Sequence, residues 1–154
     1  MTSIVAVTCI AGAPGPVFDL ITSARFWPEW HPATLSVSGV TQRPYQLADV
    51  IHERVRFAGP EIGVTWRVVE HKRPFRVVLQ ALTAPARITY SLEPGDNATV
   101  FSRELEYDAQ SLGEIADLDK LMRQQSDEGV RRLKELVERI LRDEQVASAS
   151  LAEG

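Results

Sequence analysis

The chain has 154 residues, 44% of them hydrophobic and 25% charged, which is the make-up of one soluble globular domain able to bury a core without staples. A net charge of −4 argues against a nucleic-acid or anionic-membrane surface, and no apolar run reaches the length of a membrane span. The opening "MTSIVAVTCIAG" lacks the features of a signal peptide, and the lone Cys9 excludes a disulfide framework, so a reducing cytoplasm is the expected setting.

The β-branched run "SIVAVTCI" predicts a first strand. "AGAPGP" breaks it, and Pro14 or Pro16 can open a helix through "VFDLITSARF", with Val17, Phe18, Leu20 and Ile21 as its apolar side. "FWPEWHP", residues 26–32, then brings two tryptophans into a segment that its prolines make a poor interior for helix or strand. Six strand-like runs follow at 34–40, 49–57, 61–71, 75–82, 86–94 and 98–108. The connections between them are short enough that most must be hairpins, and "PGDN" is the strongest turn signal.

"SLGE" at 111–114 has the form of a capping box, and no proline occurs from there to Val146. Ile115, Leu118, Met122, Leu133, Leu136, Val137, Ile140 and Leu141 recur at helical spacing. Pairs such as Glu135/Arg139 put opposite charges four residues apart on the wet side. These features predict one helix of about 45–50 Å. They set a single domain over 1–146, with 147–154 as a frayed tail. A long amphipathic helix with no helical partner must lay its apolar stripe on the sheet, so the class is α+β.

Three segments in order, "APGPVFDLI…FWPEWHP", "VVEHKRPFRVVLQ" and the single C-terminal helix, make the chain resemble the START-like (SRPBCC) superfamily of helix-grip domains. The branch it is similar to is that of polyketide cyclase/dehydrase-like proteins, over about residues 3–145. The resemblance implies a curved antiparallel sheet of about seven strands wrapped around the helix, with two short helices after the first strand. It also implies a cavity between sheet and helix for a lipid, sterol, polyketide or hormone. Members include carriers, cyclases and chaperone-associated modules, so the fold sets the site and not the chemistry.

Strand alternation assigns the inward faces. Ile51, Glu53, Val55 and Phe57 share one side of their strand, with His52, Arg54 and Arg56 opposite. Ile62, Val64, Trp66 and Val68 point in, a set that ends in Glu70 at the rim, while Arg67 and His71 point out. Ile88, Tyr90 and Leu92 point in, as do Phe101, Arg103, Leu105 and Tyr107. Glu53 and Arg103 are the anomalies, because an inward charge is costly unless paired or hydrated. They read either as a structural ion pair or as polar anchors in a wet cavity. In the second case Arg103 would hold a carboxylate, phenolate or enolate oxygen, and Glu53 would be an anchor or a general base. On the helix, Leu121, Met122, Gln125 and Gly129 face the cavity. Gly129 fits either close helix-on-sheet packing or room for a ligand. The tryptophan segment is expected to plug one end of the cup, with one ring packed into the core end and the other, Trp30, turned toward the cavity with His31 beside it.

The candidate ligand-binding residues are therefore Trp30, Glu53, Val55, Trp66, Tyr90, Arg103, Tyr107, Met122, Gln125 and Gly129, with Glu53 and Arg103 the only catalytic candidates. His31, His52 and His71 have no metal-site spacing, and neither a phosphate loop nor a nucleophile elbow is present, so no metal or cofactor is expected. The expected function is binding of a mostly apolar small molecule. A cyclase or aromatase using the same cavity, or a protein–protein module with a filled interior, are the alternatives. The expected partner is thus a small molecule rather than nucleic acid, and oligomeric state is left open.

Overall fold

Nine residues of alternating burial open the chain in the computed structural model, which describes residues 1–112 and 117–153. In this strand, β1 (Thr2–Ile10), Ile4, Ala6 and Ile10 face the core while Val5, Val7 and Cys9 face out. Helix α1 (Pro14–Ile21) carries proline in its first turn, where the missing N–H is not needed, and buries Val17, Phe18 and Ile21. A 3₁₀ turn (Ala24–Phe26) leads into the single turn α2 (Trp27–Trp30). Strands β2 (Thr34–Gly39), β3 (Val50–Val55), β4 (Ile62–Lys72), β5 (Arg76–Ala81), β6 (Ala86–Gly95) and β7 (Ala98–Tyr107) follow. After a second 3₁₀ turn (Ala109–Leu112) comes the long helix α3 (Leu118–Glu153).

The strands form one antiparallel sheet in the order β1-β7-β6-β5-β4-β3-β2, curled into a half-barrel around α3. Sequential hairpins run from β2 to β7, and β1 returns to pair with β7, with Ala6 opposite Arg103. This is the α+β helix-grip arrangement expected from the sequence. Leu133 and Val137 of α3 and the inward side chains of every strand except β2 close the core. Burying each such side chain contributes about 1.5–3 kcal/mol.

Three details differ from the sequence reading. The "FWPEWHP" segment is not irregular: Pro28 sits in the first turn of α2, which a helix tolerates, and both tryptophans are buried. A bulge between Val68 and Glu70 shifts the alternation of β4, so His71 turns back to meet Phe18 edge-on, with ring centroids 5.4 Å apart. Helix α3 runs on past Val146 to Glu153 through the "ASAS" stretch that was expected to fray. Gly113 and Glu114 of the expected capping box lie outside the described residues.

Candidate functional site

Where the first turns of α3 pass over the concave sheet, the two surfaces do not meet completely. The pocket left there has a volume of about 70 Å³. Its walls are mainly apolar, from Val55 and Val64 through Trp66 and Ile88 to Leu105 and Met122. Phe57, Ile62, Pro85 and Ser111 belong to the same lining.

Glu53 reaches the pocket from β3 and is only 8% exposed. Its Oε1 accepts a hydrogen bond from Trp66 Nε1 at 3.0 Å, and its Oε2 accepts one from the Thr34 hydroxyl at 2.6 Å. The same hydroxyl oxygen lies 2.9 Å from Nδ1 of His31, so imidazole, hydroxyl and carboxylate form one chain. Burial is the largest influence on Glu53 and pushes its carboxyl up, against the opposing pull of Thr34, Trp66 and Arg103. Burial, seconded by the charge of Arg103, holds His31 well below the ordinary imidazole range and therefore neutral at neutral pH.

Arg103 enters from β7 and is 4% exposed. One Nη donates to the Ser126 hydroxyl of α3 at 3.1 Å, and the guanidinium carbon lies 6.0 Å from the centroid of the Trp30 ring. Its Nε has no partner among the described residues, and the same holds for Trp27 Nε1, Trp30 Nε1, the Tyr45 hydroxyl and Gln125 Oε1. Four of those five residues line the pocket, and the fifth, Tyr45, packs edge-on against Trp27 at 6.1 Å. Tyr90 stands opposite Arg103 in the β6–β7 register, and burial raises its phenol. At the other end of the lining the Tyr107 hydroxyl donates to Asp119 in the first turn of α3 at 2.5 Å; burial and then that carboxylate push the phenol up.

A family model described as "Polyketide cyclase / dehydrase and lipid transport" matches residues 1–138. The chain belongs to this family. Among solved structures, this family member is similar to the KanY protein, with a TM-score of 0.74 and 14% identity over 89% of this chain and 97% of that one. It is similar also to a Thermus thermophilus protein, TTHA0849, with a TM-score of 0.72 and 15% identity over 88% and 97% of the two chains. The Aha1 dimer from Colwellia psychrerythraea gives a TM-score of 0.65 and 18% identity over 90% and 97%. These identities speak for the fold alone. A search of curated proteins by sequence returns no match.

In this polyketide cyclase/dehydrase-family domain, Trp30, Glu53, Val55, Trp66, Tyr90, Arg103, Tyr107, Met122 and Gln125 all line the one pocket. Gly129 does not line it. A Cβ there would meet the Trp30 ring at 3.6 Å and Pro32 at 3.7 Å, so the glycine faces the tryptophan segment rather than the sheet or open space. Leu121 is also outside the lining. Trp27 lines the pocket as well as Trp30, so the two rings do not divide into a core plug and a cavity wall. Sequence reasoning missed Thr34 and Tyr45. A threonine opening a strand three residues after a histidine is a faint signal for the first, and nothing in the loop "TQRPYQLA" marks the second.

Among the described residues no group of three or more His, Cys, Asp and Glu side chains is placed to hold a metal. No helix among them is long and apolar enough to cross a membrane.

Proposed function

We propose that this protein binds a mostly apolar small molecule carrying one or two polar groups, seated between the concave sheet and the first turns of α3. The observation that carries this is a mainly apolar pocket whose lining includes the buried polar residues Trp30, Arg103 and Gln125, each with a polar atom that has no partner among the described residues. Each such atom in a dry interior costs about 1–3 kcal/mol, and a bound molecule with an acceptor oxygen for the N–H groups and a hydroxyl for Gln125 recovers that cost. The family description, which names polyketide cyclases, dehydrases and lipid transport, supports the same reading. The exposed, unpaired Cys9 suits a reducing cytoplasm.

The volume adds a condition. About 70 Å³ is near half of the roughly 150 Å³ engineered cavity that accepts benzene. A lipid or aromatic polyketide therefore enters only as the walls of the pocket part to enlarge it. Mass spectrometry on protein purified from its own host, under native and then denaturing conditions, tests the proposal. A stoichiometric adduct lost on denaturation supports it. Protein that arrives empty, and stays empty against lipids and aromatic polyketides, overturns it in favour of a partner-binding module.

A second reading, an enzyme of cyclase or aromatase type, draws on the same pocket because it holds both a carboxylate of raised proton affinity and a guanidinium. Turnover of a bound polyketide that Glu53→Gln abolishes, while binding persists, would establish it.

A further inference from the structure

The unpartnered polar atoms are unequal in kind. Trp27 Nε1, Trp30 Nε1 and Arg103 Nε are donors, the Tyr45 hydroxyl can act either way, and Gln125 Oε1 is an acceptor. A wall rich in donors and carrying a guanidinium matches an anionic oxygen best. Glu53 does not fill that role: its oxygens accept from Trp66 and Thr34, and among the described residues no salt bridge joins it to Arg103.

Adding an anion beside Arg103 while Glu53 stays ionised would leave the enclosed site with a net negative charge, which low-polarity surroundings penalise. The chain His31–Thr34–Glu53 supplies a remedy. With Glu53 ionised, His31 Nδ1–H donates to the Thr34 oxygen, and the Thr34 hydroxyl donates to Oε2. When a proton arrives at His31 Nε2, both bonds reverse. The Nδ1 proton passes to Thr34, the Thr34 proton passes to Glu53, and the imidazole is left neutral with its hydrogen on Nε2. No heavy atom has to move, because hydroxyl and imidazole can each give and accept. The indole of Trp66 only donates, so it holds Oε1 in either state.

We propose that the pocket takes up an organic acid as its anion, held by Arg103, together with one proton that His31 and Thr34 pass to Glu53. This rests on the binding function proposed above and names the ligand class and its pH dependence. The other titratable groups around the pocket are Tyr45 before β3, Tyr90 on β6, and Tyr107 on β7 with its partner Asp119 on α3. The three phenols are all raised, so none of them releases a proton near neutrality. From α3 the lining receives only the uncharged Met122, Gln125 and Ser126. His31, held neutral by burial and by Arg103, relays a proton without keeping it. Arg103 also lowers Glu53, so an anion that neutralises Arg103 removes that pull and raises Glu53's hold on the proton.

Calorimetry with benzoate and octanoate, and with benzyl alcohol and octanol as their neutral counterparts, tests this on the whole chain. Titrations near pH 7 in buffers of different ionisation enthalpy should show close to one proton taken up per acid bound and none per alcohol. Acid affinity should fall by up to tenfold per unit rise in pH for the wild-type protein. Glu53→Gln should bind the acids without proton uptake, and Arg103→Met should lose the acids while keeping the alcohols. Acids bound with no proton uptake, or uptake unchanged in Glu53→Gln, would overturn the inference. Binding of the alcohols with exclusion of the acids would also overturn it while leaving the pocket's binding role standing. Failure of all four probes would count against both.

Discussion

Arg103→Met should make the empty protein more stable. The native guanidinium is 4% exposed, with one hydrogen bond to Ser126, a face-on approach to Trp30 at 6.0 Å and an orphaned Nε. Removing it loses about 1.5–3 kcal/mol for the charge-assisted bond to Ser126, whose hydroxyl stays buried, and about 0.5–1 kcal/mol for the Trp30 contact. It also relieves several kcal/mol of desolvation, the same cost that makes apolar replacement of whole buried ion pairs neutral or stabilising by about 1–4 kcal/mol. Methionine follows most of the stem and is flexible enough to fill the remainder. Glu53, losing a favourable charge, answers by holding its proton more tightly, which limits the penalty. The expected net is a gain of about 1 kcal/mol, or a rise in Tm of about 2–4 °C for a chain of this length. Urea and thermal unfolding followed by circular dichroism at pH 5 and pH 7.5 would read it. A loss of more than about 1 kcal/mol at both pH values would refute the reasoning and make Arg103 a structural member of the core.

Gly129→Ala should stabilise by about 0.5–1 kcal/mol, because the new methyl meets Trp30 and Pro32 at ordinary contact distance while helix propensity improves; a lowered urea midpoint would contradict this. Glu53→Gln tests the sign of a pH effect. Burial raises the carboxyl above 4.5, so its stabilisation is fully present below that value and is lost as pH rises through the folded-state pKa. Glutamine mimics the protonated form, so the variant's stability relative to wild type should grow from acid to neutral pH, and a difference flat or falling across that window would reverse the assignment. Tyr107→Phe should cost about 1 kcal/mol by removing the tie between β7 and the first turn of α3, seen as faster amide exchange near Asp119 than in the middle of the helix.

The period-two pattern of the strands was legible because one face of a curled sheet is dry, and there a charged side chain at an inward position stands out. Glu53 and Arg103 could therefore be found from parity alone. Parity fails where backbone geometry resets it: the bulge after Val68 turned His71 inward, and no residue there signals a bulge. Gly129 stands out in a helix interior, but its neighbour is not legible in the sequence, since Trp30 is distant along the chain and meets it only in the folded protein. Thr34 looks like a surface residue in a strand of polar alternation, and its value lies in touching both His31 and Glu53. Tyr45 sits in a loop, where burial depends on what the loop happens to cover.

Helix α3 is gripped unevenly. Its middle is sealed into the core by Leu133 and Val137, whereas the part over the pocket is joined to the sheet by the Tyr107–Asp119 and Arg103–Ser126 bonds and by the burial of Leu118 and Met122. Parting that seam costs about 5–8 kcal/mol from two hydrogen bonds and two apolar side chains. The parted form is then populated at about one molecule in 10⁴ to 10⁶. A guest entering that way binds slowly compared with diffusion and leaves more slowly still. Its residence time, rather than its equilibrium affinity, would then decide whether it survives purification to be weighed.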